Sequence, residues 1–445
     1  MPHLAPLAWH PLRRTLNDEV HSRPAADAVA PLMVTQIAVI TGETGAAAER
    51  ALLRELAAQM GGGRDAGEFG NHLTLDLGDG LRLVWERHTE FSTYAVSRAC
   101  PEETFDPARF DPARLATPFA APPLAAIPES WRARLPGEVL VGVNLLVVPG
   151  RADDVEPHLP AVFGGNKTIG AGMSGGLAAA WTDFRLHTDG MSRIVVASES
   201  LRPGRLGRLV QRLLDVETYR MMALLAFPLA RELTPALGEI EDELAGLAAE
   251  TTRIRTLADE QSLLSRLTAL AARAEDLAAR SHYRFSAARA YHQLVERRVK
   301  ELDEVKREGV QKIGTFMDRR LGPAMRTCTA VADRLESLSA RIARASALLN
   351  TRVELALQEQ NQTLLASMER RVRLQTRLQE TVEGLSAVAI SYYLVGLVAY
   401  MLKALEQAGQ PVDPTLATGL LAPLVLAAAW LGVRQIRKRV TRRDG

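Results

Sequence analysis

Ahead of Pro203 the hydrophobic positions change period several times, and each change predicts an element. Met33–Ile40 (MVTQIAVI) is rich in β-branched residues and predicts a strand. Ala46–Met60 places Leu52, Leu53, Leu56 and Met60 at helical spacing, and the glycines Gly61–Gly63 end that helix. His72–Leu77 and Leu81–Arg87 flank Gly78-Asp79-Gly80, a hairpin signal, and Ser92–Arg98 predicts a further strand. Pro101–Pro136 is dense in proline, with Asp-Pro-Ala-Arg turns at Asp106 and Asp111, and reads as irregular or short-helical. Val139–Val148 is a nearly continuous apolar run of strand length, as a central buried strand requires. A short helix fits Asp153–Val162. Leu177–His187 and Met191–Ser198 then predict a second hairpin around Thr188-Asp189-Gly190. The expectation is a mixed α/β domain over residues 1–204, its sheet covered by helices on one face.

From Arg205 the composition shifts to Leu, Ala, Arg and Glu, which predicts helix. Pro228, Pro235 and Gly322-Pro323 suggest breaks, giving helices at about Leu206–Ala226, Pro235–Ser281, Tyr283–Arg320 and onward from Pro323. In the last of these Val331, Leu335, Leu338, Ile342, Ala345 and Leu349 alternate in steps of four and three, a coiled-coil seam. The seam weakens around Gln358–Gln362. No proline lies between Pro323 and Pro411, so the stalk, residues 205–383, can continue into the next segment as a helix of about 120 Å. A helix that long needs other helices along it, from its own chain or from neighbouring subunits, and a homo-oligomer through the stalk is expected.

The pattern changes once more at Gly384–Leu402 and Leu416–Val433, two uncharged runs that together span 384–433. At about 1.5 Å per residue each can cross a hydrocarbon core of about 30 Å, and a lipid interior forces such runs to be helical. The alternative, a buried hairpin in a soluble core, would need a very large protein around it. Arg370, Arg371, Arg373 and Arg377 precede the first run, and Arg434, Arg437, Lys438, Arg439, Arg442 and Arg443 follow the second. The connecting turn Lys403–Thr415 sets Lys403 against Glu406 and Asp413. The excess of positive charge therefore places both termini, including the basic tail 434–445, in the cytoplasm. Tyr392, Tyr393, Tyr400 and Trp430 are available as interfacial rings. The fold class expected is α+β: an N-terminal mixed α/β sheet domain, a long helical stalk and a C-terminal two-helix transmembrane hairpin, with the bilayer as partner.

Composition narrows the field. Among 445 residues there are two cysteines, Cys100 and Cys328, without metal spacing or a CxxC, which suits a reducing compartment and argues against a disulfide framework or zinc site. The opening MPHLAPLAWHPLRR lacks a cationic stretch followed by an apolar one, so no secretory signal is expected to export the first part. The net charge of +2 and aromatic content of 5% give no nucleic-acid surface, since lipid headgroups account for the basic cluster. No cofactor is implied.

Candidate chemistry is sparse. Leu16–Pro24 concentrates Asp18, Glu19, His21 and Arg23, which could bind a metal or an anionic ligand or move a proton, or form a salt-bridged capped loop. The structural role is the commoner one for such a cluster, and its metal remains unassigned. On a strand through Trp181–His187, the side chains of Asp183, Arg185 and His187 would share a face with Trp181, as a polar binding face or a solvated one. Gly164-Gly165-Asn166-Lys167-Thr168 fails the phosphate-loop pattern, because asparagine stands at 166 and Ala161 at the first glycine position. No GxSxG or HExxH occurs. Ser386, Tyr393 and Tyr400, seven apart, would line a pore if the spans form one, or pack on the second span beside Gly396 and Ala399.

The segments LNDEVHSRP, WTDFRLHTDG, RRLGPAMRTC and TVEGLSAVAISYYLVGLVAYM resemble a bacterial family of membrane-anchored proteins, a domain of unknown function numbered 3422. That resemblance covers nearly the whole chain and implies a cytoplasmic part anchored by a C-terminal hairpin in the inner membrane, with no catalytic residues supplied. The architecture is also similar to the CorA class of divalent-cation transporters, which are pentamers. Their Gly-Met-Asn signature is replaced here by Tyr400-Met401-Leu402-Lys403, and a lysine at the mouth would repel a cation. The expected function is a non-enzymatic, membrane-anchored module that senses a small ligand or docks a partner, with a CorA-like ion channel as the alternative. An enzyme built on Asp18, Glu19, His21 and Arg23 is the third reading.

Overall fold

The computed structural model describes residues 10–13, 27–42, 45–61, 70–100, 112–254, 256–407 and 413–441. It divides into two compact units, residues 1–249 with 267–344 and residues 250–266 with 345–445.

The first unit is built on a sheet of eight strands among the described residues: β1 Leu32–Ile40, β2 His72–Asp76, β3 Leu81–Arg87, β4 Phe91–Ala99, β5 Glu138–Pro149, β6 Ile169–Met173, β7 Ala178–Thr182 and β8 Ser192–Ser198. They lie in the order β2-β3-β4-β1-β5-β8-β7-β6. Every described neighbour pair is antiparallel except β5 with β8. The β-branched and alternating runs thus form strands at the expected places, and the apolar run at Val139–Val148 is interior to the sheet.

Both faces of the sheet are covered, not one. Strand β1 has apolar residues at both parities, as does β5, and a strand apolar on both sides must be buried on both. On one face Ile37, Trp85 and Tyr94 pack with Leu53 and Leu56 of helix α1 (Ala46–Gln59) and with Trp131 of helix α4 (Glu129–Arg132). Farther along that face Leu146, Trp181 and Val195 pack with Leu115 of α2 (Pro112–Leu115), Phe119 of α3 (Thr117–Ala120), Val155 of α5 (Ala152–Val155) and Phe163 of α6 (Leu159–Phe163). Between the two clusters Thr35 donates to Asn144 Oδ1 at 2.7 Å, both residues fully buried. The opposite face carries Val34, Gln36 and Val143 and meets helix α7 (Pro203–Leu224), which buries Leu206, Leu209, Leu213 and Leu214.

Strand β6 (IGAGM) has no β-branched run, and nothing in its pattern predicts it. A Cβ on Gly170 would lie 2.4 Å from the Ala180 carbonyl oxygen and 2.5 Å from Trp181 Cδ1, so the Trp181 ring requires glycine there. This edge is closed by a non-helical stretch: Val305 and Gly172 exchange backbone hydrogen bonds at 2.8 Å, and Gly170 donates to Gln311.

The helices that follow are α8 (Ala226–Thr251), α9 (Leu257–Glu301) and α10 (Ile313–Gln407). Their breaks differ from the proline-based expectation. Pro235 and Pro323 lie inside helices, and Pro228 is in the first turn of α8, where its missing N–H has no intrahelical partner to lose. The chain breaks instead where side chains cap and glycine turns. Thr256 receives the Asp259 N–H at 3.2 Å ahead of α9. At the next break Asp303 and Gly309 adopt positive φ. Within the first unit α8, α9 and the start of α10 pack as a bundle, tied by Arg273–Glu243 at 2.7 Å and Arg334–Glu241 at 2.7 Å. The seam residues Val331, Leu335, Leu338 and Ile342 are buried in it, so this part of the seam is satisfied within the chain.

In the second unit α10 continues through the first apolar run, and helix α11 (Pro414–Thr441) carries the second. Both are long and apolar enough to cross a membrane. Ser391 is 5% and Ala429 9% exposed, so the small-residue faces of the two runs are the covered ones. The larger side chains, Tyr392, Leu397 and Leu420 among them, point outward.

Candidate ligand-binding cavity

A cavity of about 330 Å³ lies between α7 and the sheet face formed by β1 to β4, a volume at the lower end for small-molecule sites. Its origin is readable in the residues. Along α7 the lining positions are Gly207, Val210, Gln211, Leu214, Asp215, Thr218 and Tyr219, one stripe at helical spacing that mixes apolar and polar groups. From the sheet, Val84 and Ala95 are register partners, as are Gln36 and Ala95, and Glu86 lies opposite both His72 and Thr93. Small side chains on β4 leave the space that α7 does not fill. Gln36 Nε2 donates to Thr218 Oγ1 at 3.0 Å across the cavity floor, both residues buried.

One end of the cavity is acidic and aromatic. Asp215 accepts from Arg298 Nε at 2.8 Å, and Arg298 also meets Glu301 at 2.9 Å. Burial pushes the Asp215 carboxyl up to about 6; Arg298 pulls the other way, and the nearby Glu86 and Glu301 charges add to the rise. Glu86 Oε1 is 3.9 Å from His88 Nε2. The His88 ring stacks on Phe91 at 4.3 Å, and Tyr219 stacks on Tyr291 at 5.9 Å. Behind them Glu90 is held by both guanidinium nitrogens of Arg284, at 3.2 and 2.6 Å. Burial, then the Glu90 charge, raises the Tyr291 phenol, which stays protonated.

The residues singled out in the sequence lie elsewhere. Asp18, Glu19, His21 and Arg23 are outside the described residues. Strand β7 stops at Thr182, so the alternation expected through His187 is not formed. Phe184 takes a positive φ, and its ring stacks on Phe316 at 4.8 Å. Asp183 is buried, accepting from Asn166 Nδ2 at 2.9 Å and from the Arg185 N–H at 3.2 Å. His187 Nε2 comes within 3.2 Å of the same carboxylate. Asp183 and His187 are therefore brought together as parts of a tight loop, whereas Arg185 is exposed beside them. Ser386 bonds back to the Val382 carbonyl at 2.9 Å, and Tyr393 and Tyr400 are 74% and 78% exposed, turned away from the covered face of their helix. Among the described residues no group of three or more His, Cys, Asp or Glu side chains could hold a metal ion.

A family model described as Protein of unknown function (DUF3422) matches residues 8–440. The chain belongs to this family. The match takes in the sheet, the bundle and both apolar helices, so the cavity of this DUF3422 protein lies within the family's own domain and not in an appended module. No curated protein matches the DUF3422 chain by sequence.

The cavity residues of the DUF3422 protein could be suspected from the sequence by one signal. Gln36 stands in the middle of an apolar strand, and Asp215 and Thr218 stand on the inward stripe of an amphipathic helix. Polar groups at core positions need partners or a ligand.

Proposed function

We propose that this protein is anchored in a bilayer by its two C-terminal helices, with the sheet unit and both termini in the cytoplasm, and that the sheet unit senses a small ligand or docks a partner. The observation that carries the anchoring is the exposure of two uncharged helical runs whose large apolar side chains nothing else among the described residues covers. Water would tax such a surface heavily, at about 25 cal/mol per Å², and lipid removes that cost. The arginines ahead of the first run and after the second support the orientation. The cavity under α7 supports the ligand-sensing role.

Assembly is part of the same reading. Ahead of the first apolar run Leu364, Met368, Leu378 and Val382 are exposed and share one four-three frame, interrupted by Arg371 and Gln375. Copies inserted in one membrane with one topology present this stripe in parallel, so the same chain is its natural partner.

Cysteine labelling tests the reading. In a background with Cys100 and Cys328 replaced by serine, Ala404→Cys in the connecting turn should react with an impermeant maleimide added to intact spheroplasts, and Ser200→Cys on the sheet unit should react only after lysis. The reverse pattern, or equal reaction of both without lysis, would overturn the anchoring or its orientation.

A CorA-like channel is the second reading, favoured by the outward tyrosines on the line Ser386, Tyr393 and Tyr400, where neighbouring copies could meet. It requires five copies in detergent and an ion flux in vesicles that Tyr393→Ala or Tyr400→Ala abolishes. A monomer or dimer would exclude it.

A further inference from the structure

We propose that the cavity between α7 and strands β1 to β4 binds a neutral amphiphile, a carboxamide head on a short apolar chain. The head sits on Gln36 and Thr218, and the chain runs toward Leu32 and Ala99. The proposal rests on the ligand-sensing reading and names its ligand class.

The cavity is graded along β1. Strand register fixes the rows of its floor: Leu32 lies opposite Ala99, Val34 opposite Ser97, and Gln36 opposite Ala95, and all of these line the cavity. At the Leu32 row the cavity is open, since the lining residue Val29 is 64% exposed and Ala99 is exposed as well. At the Gln36 row it is closed: Gln36 is 7% and Thr218 2% exposed. Between the two rows Val34 from the sheet and Val210 and Leu214 from α7 present apolar surface. Gln36 to Leu32 spans about 14 Å along the strand, room for a head and a chain of several carbons.

The buried end of this passage holds hydrogen-bonding capacity that the protein leaves unused. The Gln36 amide can donate and accept, and so can the Thr218 hydroxyl. Their mutual bond at 3.0 Å uses one donor and one acceptor, and among the described residues neither side chain makes another. Turning the Gln36 amide over reverses that bond and still leaves a donor and an acceptor. Buried polar groups of this kind call for partners. A carboxamide carries a donor and an acceptor side by side and answers both at once.

The charges around the cavity favour a neutral head. Asp215 is held by Arg298 at 2.8 Å, and Glu86, opposite His72, has His88 Nε2 3.9 Å away. These carboxylates have partners of their own, so a cation finds no counter-charge waiting, and an anion would be repelled by them. Asp27, Asp76 and Arg82 are exposed at the rim. An ion seated on Gln36 and Thr218 would give up its hydration for neutral partners, which costs far more than seating an amide.

Titration calorimetry of the full-length protein in lipid nanodiscs, corrected against empty nanodiscs, tests this with hexanamide, methyl hexanoate, hexanoate and hexylammonium. The expected result is saturable binding of hexanamide at one per chain. It should be about tenfold tighter than methyl hexanoate, which accepts but cannot donate, and tighter still than either ion. Gln36→Leu with Thr218→Val removes both hydrogen-bonding partners together, and should bring hexanamide down to the affinity of methyl hexanoate. Ala95→Phe fills the Gln36 row and should abolish binding of both. The ranking of the probes needs no variant, so a substitution that fails to fold does not blunt the test. Any other probe binding more tightly than hexanamide, and lost in Ala95→Phe, would overturn the amide head and leave the ligand-sensing reading standing. Hexanamide binding that the paired substitution leaves unchanged would do the same. Binding of none of the four, or binding indifferent to Ala95→Phe, would overturn the amide head and the ligand-sensing role together.

Discussion

Glu49 of α1 and Arg87 of β3 pair on the covered face of the sheet, almost without solvent, and Tyr94 donates its hydroxyl to the same carboxylate at 2.8 Å. A buried pair of this kind contributes little net stability while intact, because desolvation offsets the attraction. Breaking it is another matter. Glu49→Ala removes the paired carboxylate from the buried Arg87 guanidinium, which also donates to the Gly42 carbonyl oxygen at 3.0 Å. It should cost about 3–5 kcal/mol in chemical denaturation. Asp215 gives a signed pH effect. Its folded-state carboxyl titrates at about 6, above the unfolded value of 3.8, so the folded protein holds that proton more tightly. Its contribution to stability is then fully present below about pH 4, falls as the pH rises, and is lost above about 6. Asp215→Asn cannot ionise, so its thermal midpoint relative to the parent should climb from pH 4 to pH 7; a constant difference would contradict the assignment. Burial also raises the Cys328 thiol, to about 11, and Cys328 should resist alkylation until the bundle unfolds.

Among the elements, legibility followed how local the cause was. Strands β1 to β5 and helix α1 announce themselves because side-chain alternation and glycine turns act over a few residues. Strand β6 does not, since Gly170 is there for a ring eleven residues away in sequence, Trp181. Gly170→Val should unpair β6 from β7 and cost about 1–3 kcal/mol, seen as lost amide protection in both strands. Proline misleads in the helices. At Pro235 and Pro323 packing of the flanking turns outweighs one missing hydrogen bond, while the true break at 302–312 is set by the sheet edge it closes. The cavity was harder still to foresee, because it is lined by both α7 and β4 and their sequences lie far apart. For the self-assembly proposed through the stripe ahead of the first apolar run, Leu378→Glu with Val382→Glu should lower the mass measured in mild detergent and leave the sheet unit folded; an unchanged mass would contradict that proposal.

For the whole molecule, the two long apolar helices are the part most open in the sequence, because length and composition mark them without any tertiary contact. The cavity of the sheet unit was closed to that reading, since it depends on which side chains the fold brings together. Extraction of membranes from cells making the full chain with alkaline carbonate tests the central claim most directly. The protein should remain in the sedimented fraction and enter solution only with detergent; release by carbonate as a monodisperse soluble protein would contradict it.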